Sequence, residues 1–373
     1  MRSGLCALKS ASRRSQDRAL HFNGFWRAHC HTCFRKVTLG KRMFEDILKR
    51  ELEELREKDL LRELKTLELP TARKARINGK EYLLFCGNDY LGLSSHPRVI
   101  AAFQKTAEHY GVGAGAARLI SGTSDLHTQL ERELASFKKK GKALLFSSGY
   151  LANLGILTAL AGKKDLIVMD KLCHASLIDG ARLSGATVRV FPHKNYQRCA
   201  ELLAQAKGFE KILLVSESVF SMDGDLADLF ELVRLKEKYG ACLVVDDAHG
   251  TGVLGTHGAG ATEDLGLDAK VDVVMSTLSK AFGCLGGFVA ASETMVQYLI
   301  NRARSFIYDT ALPAAVCAAC LEGLYVIREE PAIRHRLWQN IQKMHEGLVE
   351  MGFERPRGIE SPIFPVILGS ERE

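Results

Sequence analysis

An alternation of short apolar runs and helical patterns, which begins near residue 83, constrains the fold of this chain more than any other feature. The predicted strands are Ala143–Phe146, Leu166–Met169, Thr187–Phe191, Lys211–Val215, Cys242–Asp246, Asp272–Ser276 and Gly287–Ala291. The helical patterns between most of them cover residues 126–139, 150–161, 175–183, 196–206 and 228–239. Strands that are apolar throughout and separated by helices indicate a parallel sheet with helices on both faces. The sequence therefore predicts an α/β fold.

The last two predicted strands do not fit this alternation. Only ten residues separate Asp272–Ser276 from Gly287–Ala291, and a crossover helix needs a dozen or more. We expect the final strand to be an antiparallel partner or a non-adjacent edge strand.

Composition excludes several classes of function. The chain has 373 residues, enough for one large α/β domain and a smaller one. Its net charge is +7, but residues 1–42 hold ten Lys or Arg against one acid, so about −2 remains for residues 43–373. A nearly neutral body gives no electrostatic basis for binding nucleic acid.

The apolar segments and the cysteines also indicate a globular enzyme. No apolar run reaches the length of a transmembrane helix, and the best candidate, Gly149–Gly162, contains Asn153 and Thr158. The ten cysteines are scattered, and those of the body lie mostly in apolar runs. This pattern is typical of reduced thiols in a cytoplasmic protein.

Residues 1–42 differ from the rest, since they are rich in Arg and Ser and show no periodicity. Three interpretations remain open: a translated upstream segment with Met43 as the working start, an organellar transit peptide, or a small metal site at Cys30–Cys33. From Met43 onward, apolar residues recur on one helical face, so we expect ordered structure to begin there.

Polar clusters follow the predicted strands, where open α/β sheets bind their ligands. They are Ser147–Gly149, Asp170–His174, Glu217–Asp223, Asp246–His249 and Thr277–Lys280.

Two of these clusters contain groups with direct chemical uses. Lys280 lies among small residues just past a strand, where a buried amine can form a Schiff base; the alternative is a surface lysine in a loop. Asp246 ends an apolar strand, where a carboxylate needs a partner such as a protonated ring nitrogen. His249 could then reach a ring hydroxyl, and the alternative is a helix-capping Asp with a structural His.

Two further clusters could bind a phosphate and an aromatic ring. Ser147-Ser148-Gly149 precedes a predicted helix, whose N-terminal N–H groups can bind phosphate, although simple capping by Ser also explains it. His174 could stack on an aromatic ring, or be a structural histidine.

Together these segments resemble the α-oxoamine synthases, which are enzymes dependent on pyridoxal 5'-phosphate (PLP). The resemblance extends from about Leu60 to Val366, with the motifs in the family's order. The segments that carry it are Asn88–Leu93, Gly113–Gly122, His174–Ser176, Phe220–Asp225, Asp246–Gly252 and the segment around Lys280.

The resemblance implies fold type I of the PLP-dependent transferases, which is aspartate-aminotransferase-like, with a mostly parallel seven-stranded sheet between helices. It implies that Lys280 forms the Schiff base and later moves the α-proton, while Asp246 pairs with the pyridinium nitrogen. His249 and Ser221 would approach the ring oxygen, and His174 would stack on the ring.

The resemblance also assigns the outer parts of the site. Gly149, Tyr150 and Thr277 would hold the phosphate, and no metal is implied. Asn88 would face the substrate, and Arg62 would meet a substrate carboxylate. Thr310 would reach the phosphate of a second subunit, although the family's usual Ser before it is Asp309 here.

The branch that this chain most resembles acts in biotin synthesis. Its implied reaction joins L-alanine to a pimeloyl group carried on CoA or acyl carrier protein, in a homodimer. A glycine-using relative that makes aminoketobutyrate or aminolevulinate is one alternative, and a truncated, non-catalytic subunit is another.

The resemblance suggests four segments: a leader (1–42), an N-terminal helix and β segment (43–91), a large PLP-binding domain (92–333) and the start of a small domain (334–373). The family's small domain is longer and supplies an arginine for the amino-acid carboxylate, so we expect it to be incomplete here.

Overall fold

The computed structural model of the protein describes residues 43–68, 71, 73–353 and 361–366. The chain divides into two compact units, one with residues 43–65 in its described part and the other from Thr66 to Val366. The predicted leader, including Cys30–Cys33, lies outside the described residues. The domain boundaries after residues 91 and 333 stay predictions.

The first unit contains helix α1, over residues 43–57. This confirms the helical pattern that begins at Met43. Asp59 follows the helix in the left-handed conformation, with φ of 57°, and the backbone N–H of Leu60 returns to the carbonyl of Leu55 at 2.7 Å.

The second unit begins with a small antiparallel ribbon of β1 (Lys74–Ile77) and β2 (Lys80–Leu83). Asn78 and Gly79 connect the strands, both with positive φ, as a two-residue turn that matches the strand twist requires.

A seven-stranded sheet forms the centre of this unit. Its strands are β3 (Lys142–Phe146), β4 (Leu166–Asp170), β5 (Thr187–Phe191), β6 (Ile212–Glu217), β7 (Cys242–Asp246), β8 (Val273–Thr277) and β9 (Gly287–Ala291). They lie in the order β3-β9-β8-β7-β6-β4-β5. Six are mutually parallel, and β9 runs antiparallel to both of its neighbours.

All seven predicted strands are thus confirmed within a residue or two. Of the two alternatives for the last strand, the antiparallel partner is right. It does not lie at an edge, because it fills the space between β8 and β3.

The helices of the second unit surround the sheet. They are α2 (Pro97–Tyr110), α3 (Asp125–Phe137), α4 (Gly149–Leu160), α5 (Ala175–Ser184), α6 (Tyr196–Ala204), α7 (Leu229–Tyr239), α8 (Ala261–Asp264), α9 (Glu293–Arg302), α10 (Arg304–Ile307), α11 (Ala314–Glu329) and α12 (Pro331–Glu350). All five predicted helices are among them.

Successive residues of the central strands pack into different layers, as the two-residue period of a strand requires. In β7, Leu243 and Val245 pack with the apolar side chains of α6 and α7. Val244 packs on the opposite face, with those of α4 and α5. Both faces are therefore covered, which explains why the strands are apolar throughout.

Within the described residues, none of the helices combines the length and the apolar character that crossing a membrane requires.

A buried ion pair fixes the turn after β7. Lys138, at the end of α3, and Asp247 are both fully buried, with 2.8 Å between Lys138 Nζ and Asp247 Oδ2. Nζ also donates to the Thr251 hydroxyl and to the carbonyl of Ala259, each at 2.6 Å. All three ammonium protons therefore have acceptors, which such deep burial demands.

We expect Lys138→Met to destabilise the protein by about 3–5 kcal/mol, because it leaves the Asp247 carboxylate buried without its cation. Thermal melting measures the effect. Lys139→Met is the matched control, since the neighbouring Lys139 pairs with Asp268 while its side chain is 59% exposed, and such pairs contribute at most about 1 kcal/mol. Equal melting temperatures for the two variants would contradict this role.

Candidate active site

A cavity of about 240 Å³ opens at the carboxyl ends of the parallel strands. Its lining residues are Ser148, Gly149, Tyr150, Asn153, His174, Ser176, Glu217, Asp246, Ala248, His249, Met275, Thr277, Ser279 and Lys280. Seven of the predicted site residues are in this set. The structure therefore brings them together from four polar clusters that are far apart in sequence.

Lys280 enters the cavity from the loop between β8 and β9. Its Nζ lies 2.8 Å from Nε2 of His249. Burial lowers the pKa of the Lys280 amine, and the charges of Asp246 and Glu217 oppose that shift. A lowered pKa makes the neutral, nucleophilic amine more accessible.

His249 is a neutral imidazole in this setting. Burial, and then the charge of Lys280, lower its pKa to about 3. Nδ1 donates to the Tyr90 hydroxyl at 2.7 Å, which leaves Nε2 to accept a hydrogen bond from Nζ of Lys280. Tyr90 in turn donates to Oδ1 of Asn88 at 3.3 Å. One hydrogen-bonded chain thus connects Asn88 to Lys280.

Asp246 ends β7 and is 5% exposed. The backbone N–H of Ala248 donates to its Oδ1 at 3.0 Å, and Nδ2 of Asn153 donates to its Oδ2 at 2.8 Å. Two donors therefore orient the Asp246 carboxylate. Its remaining lone pairs can accept a hydrogen bond from a ligand in the cavity.

The N-terminus of α4 forms another wall. Ser148 caps the helix by accepting from the N–H of Leu151 at 3.2 Å, and the first N–H groups of a helix have no intrahelical partner. Gly149 leaves little room for a larger residue, because an added Cβ would lie 3.2 Å from Cβ of Thr277. The Tyr150 hydroxyl donates to Asp179, so the backbone N–H is the part of Tyr150 left for a ligand.

His174 stands at the N-terminus of α5. It lines the cavity and is otherwise exposed, so its ring is free to cover a flat ligand. Nδ1 of His174 lies 2.8 Å from the hydroxyl of Ser176.

Glu217, at the end of β6, is a second buried carboxylate in the same cavity and is directly opposite Asp246 in the sheet. Burial, together with the charge of Asp246, raises the pKa of Glu217 to about 8. The backbone N–H groups of His174 and Ser221 donate to it. Glu217 therefore connects three segments at the carboxyl edge of the sheet.

These donors and acceptors fit PLP. An amine, an acid that can hold a ring proton, an exposed imidazole and a helix N-terminus next to a glycine lie around one cavity. They match, in order, the aldehyde, the pyridine nitrogen, the ring face and the phosphate of the cofactor. Among the described residues, no cluster of His, Cys, Asp or Glu has the arrangement of a metal site.

Four predicted residues are not in the lining of this cavity. Ser221 contacts Glu217 through its backbone. Asn88 accepts from the Tyr90 hydroxyl, which in turn contacts His249. Thr310 is exposed and forms a β-bridge with Ala117. Arg62 is exposed and belongs to the unit that ends at Lys65. The roles assigned to these four residues stay predictions.

Sequence reasoning assigned no role to Asn153, Ser176, Glu217, Ser279 or Tyr90. For Glu217 a signal was available, since it ends a buried apolar strand in the same way as Asp246. Asn153 was visible only as a polar interruption of an apolar helix.

The raised pKa of Glu217 predicts how stability depends on pH. The unfolded carboxyl loses its proton near its ordinary pKa of 4.5, whereas the folded one keeps it until about 8. Its contribution to stability is therefore complete below pH 4.5 and is lost as pH rises towards 8. We therefore measure the melting temperature of Glu217→Gln minus that of the wild type, both without cofactor. We expect this difference to increase by at least about 2–4 °C between pH 5 and pH 8.

The matched control for this series is Glu210→Gln, which removes an exposed carboxylate that pairs with Lys164. Its difference from the wild type should stay flat. If the difference for Glu217→Gln also stays constant with pH, the buried Glu217 carboxyl does not keep its proton above its ordinary pKa.

The sequence matches the profile of the aminotransferase class I and II family over residues 80–372. It is 46% identical over 325 residues to the 8-amino-7-oxononanoate synthase of Geobacter metallireducens, which is 87% of this chain and 83% of that protein. It is 41% identical to 8-amino-7-oxononanoate synthase 1 of Bacillus subtilis, with coverages of 87% and 83%.

Solved structures give the same fold. A serine palmitoyltransferase from S. paucimobilis with a bound PLP-myriocin aldimine superposes with a TM-score of 0.82 at 32% identity, covering 88% of this chain and 86% of that one. The 8-amino-7-oxononanoate synthase of Francisella tularensis superposes with a TM-score of 0.64 at 34% identity, covering 74% and 78%. The predicted fold is thus confirmed, and the chain belongs to the aminotransferase class I and II family, among its PLP-dependent enzymes of fold type I.

Proposed function

We propose that this protein is an 8-amino-7-oxononanoate synthase, an acyltransferase that condenses L-alanine with a pimeloyl thioester. One observation carries the proposal. Lys280, Asp246, His249 and His174 surround a single cavity in a chain that is 46% identical to a synthase of this kind.

The overall reaction fixes what the site has to achieve. The α-carbon of alanine loses a proton and forms a bond to the thioester carbonyl carbon, and the thiol leaves. The carboxyl group of alanine leaves as CO2, which gives 8-amino-7-oxononanoate. When PLP is bound, it supplies the electron sink that accepts the negative charge of the α-carbon.

Lys280 has two tasks in this scheme. With PLP bound, its amine would hold the cofactor covalently until alanine takes that position at the start of turnover. Nζ is then free to take the α-proton and later to return one. The 2.8 Å contact with His249 supports this role, since a neutral imidazole can accept a hydrogen bond from Nζ and keep the amine oriented.

Asp246 would hold the proton on the ring nitrogen, which the electron sink requires. Its burial excludes water from that hydrogen bond. His174 would cover the ring, and the backbone N–H groups of Gly149 and Tyr150 would hold the phosphate, next to the side chain of Thr277.

We also propose that Asn88 and Arg62 contact the substrate and that Ser221 approaches the ring oxygen. In a homodimer, Thr310 would contact the phosphate of the PLP molecule bound in the second subunit. These roles rest on the family resemblance, and the acyl carrier is either CoA or acyl carrier protein.

Replacing Lys280 by Ala should lower kcat/KM by about 10²–10⁴-fold, the usual contribution of a positioned acid–base group, and should abolish the covalent attachment of the cofactor. Release of thiol from pimeloyl-CoA in the presence of L-alanine measures the first effect, and visible absorbance of the purified protein measures the second. Lys171→Ala is the control, because Lys171 is an exposed lysine just beyond β4. Full activity of Lys280→Ala would disprove the assignment.

The amino-acid substrate is tested by comparing L-alanine, glycine and L-serine at equal concentrations. We expect L-alanine to give the highest kcat/KM with pimeloyl-CoA, and the product to be 8-amino-7-oxononanoate by mass. A preference for glycine would favour the aminoketobutyrate or aminolevulinate type of reaction. A protein that binds PLP but releases no thiol with any of the three would point to a non-catalytic subunit.

A further inference from the structure

Asn153 is a polar side chain in an apolar helix of the second unit. It lies on α4, where Ala152, Ile156 and Leu157 are fully buried, and is itself 1% exposed. A primary amide in such surroundings is costly unless its protons find acceptors. The acceptors of the Asn153 amide therefore decide what this residue contributes.

Both amide protons of Asn153 are used in the cavity. Nδ2 donates to Oδ2 of Asp246 and to the hydroxyl oxygen of Ser176, each at 2.8 Å. The opposite orientation of the amide would place its carbonyl oxygen against a carboxylate oxygen, with no proton between them. The charge of Asp246 thus selects the orientation of Asn153.

The direction of the next bond follows from the first two. Because the Ser176 oxygen accepts from Asn153, its own proton is directed to Nδ1 of His174, at 2.8 Å. The backbone N–H of Ser176 donates to the same nitrogen at 3.2 Å. Nδ1 of His174 is therefore an acceptor, and the ring N–H is on Nε2.

A hydrogen-bonded chain thus runs from Asp246 through Asn153 and Ser176 to His174. It connects Asp246, which is assigned to the ring nitrogen of PLP, with His174, which is assigned to the face of the ring. These two groups come from different segments, β7 and the start of α5. Asn153 connects them from a third segment, one helical turn beyond the N-terminus that faces the phosphate.

We propose that Asn153 is a positioning residue, which holds Asp246 in the orientation that receives the ring nitrogen of PLP and, through Ser176, fixes the ring of His174. The inference rests on the proposed function only in its use of PLP. It does not depend on which amino acid or acyl thioester reacts.

Loss of this chain should weaken cofactor binding. A hydrogen bond to a charged group contributes enough to change an equilibrium constant by about 10–100-fold. We therefore expect Asn153→Leu, which keeps the size and removes both donors, to raise the dissociation constant for PLP by that factor.

The experiment titrates the full-length apoprotein with PLP and follows the visible absorbance. Thr158→Val is the matched control on α4, since the Thr158 hydroxyl donates only to the backbone carbonyl of Leu154. Far-UV circular dichroism and melting temperature of the apoproteins check folding, and Asn153→Ala replaces the Leu variant if that one does not fold.

A double-mutant cycle with Asp246→Asn separates positioning from a merely structural effect. If Asn153 acts through Asp246, Asn153→Leu should cost much less in the Asp246→Asn background than in the wild type. An undiminished cost there would overturn the proposal, and so would wild-type affinity in Asn153→Leu.

Ser176→Ala tests the second part of the chain. It keeps the bond between Asn153 and Asp246, so we expect a smaller loss of PLP affinity, with an altered visible circular dichroism of the bound cofactor because His174 is no longer fixed. An unaltered spectrum would overturn that part. A wild type that binds PLP but does not condense alanine would refute the proposed function alone, and unchanged binding in an active Asn153→Leu would refute this inference alone.

Discussion

The ion pair between Lys138 and Asp247 is the interaction on which the geometry of the site depends. Asp247 follows directly after Asp246, and its burial holds the turn beyond β7 in place. The Ser218 hydroxyl also donates to Asp247, at 2.6 Å. At Gly250 and Gly260 an added Cβ would lie within 2.2 and 1.8 Å of the Asp247 carboxylate oxygens. The backbone of the turn therefore packs directly against the Asp247 carboxylate, next to Asp246 in the cavity lining.

The reversed strand β9 has a comparable effect on Lys280. Because β9 is antiparallel to β8, a short loop suffices to connect them, and this loop stays at the carboxyl edge of the sheet. Gly287, at the start of β9, packs against the N-terminus of α4, where an added Cβ would lie 2.5 Å from the nitrogen of Gly149. Lys280 and the N-terminus of α4 are thus brought together by one local reversal in an otherwise parallel sheet.

Much of this architecture could be predicted from the sequence because its causes are local. Strands buried on both faces are apolar throughout, and their ends are marked by the polar residues that form the site. The direction of β9 was left open, since a short connection excludes a crossover helix without choosing a neighbour. The contact of Asn153 with Asp246 could not be predicted, because an asparagine in an apolar helix has the same pattern whether it contacts a carboxylate or only interrupts a hydrophobic segment.

Lys138 shows a different limit. It begins a run of three lysines, and composition does not distinguish them. Its side chain is fully buried, whereas that of Lys139 is 59% exposed. The difference arises from acceptors more than a hundred residues away in sequence, such as Asp247. Long-range pairing of this kind is decided by the packing of α3 against the sheet, which no local pattern encodes.

The central claim is that Lys280 is the covalent anchor of PLP in a site completed by Asp246. Borohydride reduction of the holoenzyme, followed by peptide mapping with mass spectrometry, tests it most directly, because reduction makes the bond between lysine and cofactor permanent. The account predicts one modified peptide, with the phosphopyridoxyl group on Lys280. Modification of a different lysine, or none in a protein saturated with PLP, would contradict it.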